Sequence, residues 1–506
     1  MMGTSIRMSK GVSSLIRIRA LLIGAVVLVA YVYFYQGGGW NQNSRFDLVR
    51  AMVELGTLRI DAYHENTGDK AFANGHYYSD KAPGLALLAE PIAEATRPLL
   101  RAGGVDPDSA RGLVAMSYVV TVFGVALPMA VACAVLFLIA LQLGSDTSAA
   151  AFGALALGLA TPMWAYSTLF WGHSLAGACL VFGFAFALRL CRNQSHTGDV
   201  LLGLAVGLTA GWATVTEYPA APAAAIVAAL AVGLVWKDGW PRRWRTSVGI
   251  AIGASACIAV LLTYQFLVFG SAFQPSYSYY PAGAFPWMKY GYMGLTYPRI
   301  DVALKLLFGC RRGLLFVAPV ALAAPFGLRW LRKQPTGRAA AAAAAAVAAY
   351  YFLFNASFVA WAGGLSYGPR YMAAGLPLLC VGLAPAWSKA RPFWRGGLAV
   401  AAACGGVFAL IAVSTTVQPG SVFRCPLVQL LWPSFWAGKF SLNSRSMLTI
   451  SEEPTGHAHG AFNLGELAGL HGLASLIPLL AVWGLAAVLW AWINRVEQLE
   501  RHRTPP

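Results

Sequence analysis

At 506 residues, 58% hydrophobic and only 11% charged, with a mean hydropathy of +0.59, the chain is excluded from the soluble globular class, where about a quarter of residues are charged. Its formal net charge of +17 suggests a nucleic-acid partner. Most of the Lys and Arg, however, sit in short loops between apolar runs, which is the signature of membrane topology and excludes a nucleic-acid footprint.

The apolar runs are about twenty residues long and lack the two-residue alternation of outer-membrane strands, so they read as helices. Arg7, Lys10, Arg17 and Arg19 precede a first run from Ala20 to about Tyr35. Its aromatic end, Tyr31-Val-Tyr-Phe-Tyr35, offers no small-residue cleavage site, which predicts an uncleaved first span with a cytoplasmic N-terminus. Further spans are expected at about 113–143, 147–171, 173–191, 200–217, 218–236, 247–269, 313–331, 339–356, 371–387, 396–415 and 472–493, about twelve in all. Threaded this way, Arg189/Arg192, Lys237/Arg242/Arg243/Arg245, Arg329/Arg332/Lys333/Arg338, Lys389/Arg391/Arg395 and Arg495/Arg501/Arg503 all fall inside, with both termini. The expected fold class is an all-α polytopic protein of the inner (plasma) membrane, a single integral membrane domain over residues 1–506.

The loops that thread to the extracytoplasmic side are 37–111, 270–312, 361–370 and 416–470. Of the chain's twenty Asp and Glu, ten fall between Asp47 and Asp108, so the first loop is the expected active-site loop. Within it, Ser44–Leu55 and Leu85–Leu100 carry apolar residues at helical spacing and predict interfacial helices. The eight cysteines stand singly, without CxxC pairs or His at metal-ligand spacing, which disfavours a zinc site and a disulfide framework. Only Cys310 and Cys425 thread to the outer side, and a bond between them is the minor reading.

Outside the membrane neither ATP nor nucleotide sugars are at hand, so an activated sugar must arrive on a lipid, in the form of a polyprenyl phosphate. Transfer to a hydroxyl needs a carboxylate for the proton and cations for the departing phosphate. The first loop supplies both as Asp69-Lys70 and Asp80-Lys81, with Asp47 and Asp61 as further acids.

The segment Tyr78-Ser-Asp80-Lys81-Ala-Pro83-Gly84, followed by an amphipathic helix, resembles the GT-C superfamily of polyprenyl-phosphate-sugar-dependent glycosyltransferases, which includes aminoarabinose, arabinosyl and mannosyl transferases. The layout of one helix, a large acidic outer loop and a helix bundle resembles it too. The resemblance implies a glycosyltransferase whose Lys81 contacts the donor phosphate; the acceptor is a glycan, lipid or protein, and a single displacement, which needs only one base, predicts inversion. Arg50-Ala-Met-Val-Glu-Leu-Gly56 is similar to the family's helix after its catalytic acid. The matching acidic register falls on Asn41-Gln42, and an amide cannot serve as a base. That leaves Asp47, Asp69 and Asp80 as candidate bases, with Asp61 behind them. No organic cofactor is indicated. Acids beside phosphate leave room for a divalent cation. The alternatives are a transporter or flippase of lipid-linked sugars, or an oligosaccharide polymerase or ligase.

Beyond the first loop, Tyr367-Gly-Pro-Arg370 offers an Arg for the donor phosphate, in competition with a snorkelling role, and Arg311-Arg312 is similar. Lys70 is a further phosphate candidate. His173 and Glu217 stand at span ends and are counted, with His76, Tyr78, Asp61 and Tyr367, among cavity candidates, against hydrogen-bonded structural roles. The aromatics Tyr277–Tyr280, Trp287, Tyr290, Tyr292 and Tyr297 read first as an interfacial belt, and as sugar-stacking faces second. His457 and His459, beside Glu452 and Glu453, read as a solvated loop before a metal site.

Overall fold

A computed structural model of the protein describes residues 10–333, 335–448 and 460–503. His457, His459, Glu452 and Glu453 lie outside them. Helix occupies 72% of the described residues and the strands among them are only short pairs, so the fold is all-α. Among the described residues, nine helices are long and apolar enough to cross a membrane, and Thr147–Leu159 and Tyr218–Leu234 are shorter apolar helices. The chain is a polytopic integral membrane protein. The segment expected as one span over 313–331 is broken into Leu314–Val317, a tight turn Pro319–Ala323 and Ala324–Leu331. Pro319 and Pro325 lack the N–H that a continuous helix would use there.

Helix α1 (Lys10–Val32) leads into a two-residue strand β1 (Phe34–Tyr35) and then into α2 (Trp40–Leu55). The sequence places a helix from Ser44; the observed α2 begins four residues earlier. Its first half is enclosed on all sides, with no residue from Asn41 to Val49 more than 6% exposed. A hairpin follows, β2 (Lys70–Ala73) with β3 (His76–Ser79), joined by Asn74-Gly75, both at positive φ (53° and 80°). That is the backbone an Asn-Gly two-residue turn adopts. Helix α3 (Gly84–Ala102) is amphipathic as expected, burying Leu85, Ala86, Ala89, Ala93 and Thr96.

Two glycines set how closely these parts approach. A Cβ at Gly84 would stand 2.7 Å from the backbone of Val215 and Thr216, so α3 begins in direct backbone contact with the end of the helix His196–Thr216. Gly84→Ala is therefore expected to cost about 1–3 kcal/mol by overpacking, read as a lower unfolding temperature in detergent. A Cβ at Gly38 would overlap the Ser446 carbonyl, which brings the final loop against the first. Gly38 N–H donates to the Arg445 carbonyl (2.7 Å), and Asn443 Nδ2 donates to the Gln36 and Gly38 carbonyls. Strand β4 (Phe462–Asn463) pairs antiparallel with β1. The 270–312 segment closes in as well: Ser276 Oγ donates to the Asp80 carbonyl and Tyr280 OH to Asp80 Oδ2 (2.8 Å). Cys310 and Cys425 are free thiols and near neighbours, Cys425 Sγ lying 3.8 Å from the Cys310 carbonyl.

Candidate active site

Where α2, the β3–α3 turn and these outer loops meet, they enclose a cavity of about 910 Å³. Its charged wall groups are Arg45, Lys81, Arg370 and Arg445 against Asp69 and Glu217, an excess of cations suited to an anionic ligand. The rest of the wall is largely aromatic: Trp171, Tyr277, Tyr280, Phe285, Trp287, Tyr292, Tyr351, Phe358 and Tyr371. Three of the aromatics read first as a belt, namely Tyr277, Tyr280 and Trp287, thus line the cavity; Tyr292 stands exposed at its rim, and Tyr290 and Tyr297 are exposed away from it.

Lys81 is the centre of the cationic end. Its Nζ bridges Asp69 Oδ2 (2.8 Å) and Asp80 Oδ2 (2.9 Å), and its side chain is only 11% exposed. Asp80 is fully buried behind it, held by Tyr280 OH and by Ser44 Oγ at 3.3 Å, and does not reach the cavity. Burial raises the Asp80 carboxyl above the usual range; the Lys81 ammonium pulls it back, and repulsion from Asp69 adds to the rise. Burial alone would lower the Lys81 ammonium, but Asp69 and Asp80 more than reverse this, so Lys81 is held charged.

A second charged group sits across the wall. Arg45, one turn along α2 from Asn41, donates from Nη2 to Glu217 Oε1 (2.7 Å), from Nη1 to the Ala82 carbonyl (3.1 Å) and from Nε to Asn41 Oδ1 (3.2 Å). Arg370 lies over the Trp171 ring (4.2 Å) and donates from Nε to His173 Nε2 (3.1 Å). The His173 proton is therefore on Nδ1, which faces Glu217 Oε1 at 3.5 Å. Trp171 Nε1 donates to Gln42 Oε1 at 2.8 Å.

Of the residues singled out from sequence, Asp69, Lys81, Arg370, His173 and Glu217 come together on the cavity wall. The others lie elsewhere. Asp47 is fully buried against Asn66 Nδ2 (2.9 Å), behind α2. Lys70 Nζ donates to the His64 carbonyl (2.7 Å), and His76 pairs with Asp61 (2.8 Å) on the exposed side of the hairpin. Tyr78 packs on Phe269 at 5.8 Å, and Tyr367 lines a separate narrow cleft beside Arg312. Arg312 itself is spent on the Ala362 and Gly364 carbonyls (2.7 and 2.6 Å). Arg45, Gln418 and Arg445 were not singled out from the sequence, and Gln42 entered only as an amide unfit to be a base, yet all four line the cavity. For Arg45 a usable signal existed, since it follows Asn41 by four residues and so shares its helix face. Among the described residues no group of three or more His, Cys, Asp or Glu is placed to hold a metal ion.

Burial raises Asp47 well above the usual carboxylate range, with Asn66 and Arg50 opposing weakly. A carboxyl raised on folding contributes stability below its unfolded value that is lost as pH rises toward its folded one. Asp47→Asn is therefore expected to gain on the natural protein by up to about 1.4 kcal/mol per pH unit above about pH 4. Unfolding temperatures of both across pH 4–8 check this, and parallel curves would contradict it.

No protein-family model and no curated protein matches the chain. Among solved structures, ArnT from Cupriavidus metallidurans bound to undecaprenyl phosphate superposes with a TM-score of 0.50 at 17% identity, over 85% of this chain and 69% of that one. The same protein in its apo state gives 0.49 at 18% identity, over 85% and 68%. The oligosaccharyltransferase AglB from Archaeoglobus fulgidus, in complex with an inhibitory peptide and a dolichol-phosphate, gives 0.44 at 13% identity, and this chain spans 57% of its length. The polytopic bundle with its enclosed loop cavity is thus similar in fold to the ArnT structure, over 85% of this chain.

Proposed function

We propose that the protein is a glycosyltransferase that moves a sugar from a polyprenyl-phosphate carrier to an acceptor hydroxyl at the extracytoplasmic face of the plasma membrane, with inversion. The observation that carries this is Lys81, an ammonium held charged by two carboxylates on the wall of a cation-rich cavity in an ArnT-like fold. Lys81 binds the donor phosphate and Arg370 assists it, both as charge-assisted donors that gain strength as the phosphate takes up charge on leaving. The ArnT structure of the same fold was solved with undecaprenyl phosphate bound, which supports a lipid-linked donor here. Aromatic walls give the sugar faces to stack on.

Asp69 is the one of the three first-loop candidate bases that reaches the cavity, and Glu217 lines it as well. Asp80 acts through Lys81 as a positioning residue. Asp80→Asn is expected to lower transfer about 10- to 100-fold by loosening a charged hydrogen bond, and to raise the apparent KM for the donor more than it lowers kcat. The test of the function is transfer from labelled polyprenyl-phosphate sugars by the purified protein in nanodiscs. Movement of the labelled lipid across liposome membranes with no new glycosidic product would support a flippase instead.

A further inference from the structure

On the glycosyltransferase reading, we propose that Glu217 Oε2, Gln42 Nε2 and the Tyr351 hydroxyl form the acceptor subsite, which takes an uncharged, hydroxyl-bearing acceptor, and that Glu217 is the general base.

Three unmet hydrogen-bonding atoms on one cavity carry the proposal. Every bond and ion pair that Glu217 makes falls on Oε1, from Arg45 and His173, so Oε2 has no partner among the described residues. Gln42 is fully buried; Trp171 occupies its Oε1, and its Nε2 has no partner among the described residues. Tyr351 is 3% exposed and its hydroxyl is likewise unpartnered. All three residues line the cavity. Arg45, one turn from Gln42, ties α2 to Glu217, and Tyr350 OH donates to the Pro219 carbonyl (2.7 Å), which ties the Tyr351 helix to the same turn. Buried polar atoms without partners are costly, so a wall that keeps two of them open is built for a ligand that completes them. One acceptor beside two neutral donors fits hydroxyl groups. An amine would find both lining carboxylates already in ion pairs.

The choice between Glu217 and Asp69 follows from the direction of displacement. In an inverting transfer the base stands on the face of the sugar opposite the leaving phosphate. Asp69 is bonded to Lys81, the phosphate-binding group, and so belongs to the leaving side. Glu217 pairs directly with Arg45, reaches Arg370 only through the His173 ring, and keeps Oε2 open for the acceptor. The acceptor O–H gives its proton to Glu217 Oε2 as its oxygen bonds the anomeric carbon. The bond from that carbon to the phosphate oxygen breaks, its electron pair leaves with the phosphate, and Lys81 and Arg370 hold the product.

The test uses the full-length protein in nanodiscs with two binding probes, farnesyl phosphate and an uncharged methyl glycoside. Gln42→Leu and Tyr351→Phe should each weaken the glycoside about fivefold or more and leave farnesyl phosphate within about twofold, while Lys81→Ala should do the reverse. With a farnesyl-phosphate sugar as donor, Glu217→Ala should lose transfer and, on adding azide, form the inverted glycosyl azide; Asp69→Ala should not. Glu217→Gln, which keeps the shape and the Arg45 contact, should lose transfer while still binding farnesyl phosphate, which separates chemistry from misfolding. Glycoside binding that is absent or indifferent to Gln42 and Tyr351, or azide rescue at Asp69→Ala alone, overturns the subsite or the base. Farnesyl phosphate binding indifferent to Lys81, or no donor turnover by the natural protein, overturns the glycosyltransferase reading instead, and the glycoside result still judges the subsite.

Discussion

Lys81→Ala is expected to reduce transfer by at least about 10²- to 10³-fold, the scale for removing one preorganised donor from a developing anion. The same change strands Asp69 and Asp80, which share the ammonium at 2.8 and 2.9 Å. Breaking a buried pair by removing one partner costs about 3–5 kcal/mol, so the unfolding temperature should fall along with activity. The two effects separate in the double variant Lys81→Ala/Asp69→Asn. Neutralising Asp69 removes much of the electrostatic penalty, and Asp80, already raised by burial, takes up a proton. Stability should then return in large part while transfer stays lost. Recovery of transfer with stability would mean that Lys81 is a structural counter-ion.

Arg45→Ala is expected to be the most destabilising single change in the cavity wall, by about 3–5 kcal/mol. The Arg45 side chain is 2% exposed and holds three parts at once: Glu217, the Ala82 carbonyl beside Lys81, and Asn41 on its own helix. Its loss leaves the Glu217 carboxylate facing only the His173 ring and leaves the Ala82 carbonyl unpaired. Thermal unfolding of Arg45→Ala, Glu217→Gln and the double variant measures the coupling, and the double should be clearly more stable than the sum of the singles implies. Additive effects would mean that the ion pair does not organise the wall.

The transmembrane framework was legible because lipid forces long apolar helices and short basic loops, and both leave a direct trace in the sequence. Lys81 was legible because it stands in a short motif before an amphipathic helix. What escaped was sidedness within the polar loop. Asp47, Asp69 and Asp80 look alike as letters. Partners at a distance decide their roles: Asn66 encloses Asp47, and Tyr280, two hundred residues on, encloses Asp80. Asn41-Gln-Asn-Ser-Arg45 is polar at every position, yet none of the five is more than 6% exposed, because the final loop and the 270–312 segment close in beside it. Gln418 and Arg445 reach the cavity only through that closure, which no local pattern encodes. The Asn74-Gly75 hairpin, by contrast, carried a local turn signal that went unread.

A structure of the protein with polyprenyl phosphate bound decides whether the lipid phosphate sits on Lys81 inside this cavity. The phosphate oxygens should lie within about 3 Å of Lys81 Nζ, with Arg370 alongside and the space beside Glu217 left open for sugar and acceptor. Phosphate density away from Lys81, or unchanged binding by Lys81→Ala, would contradict that placement.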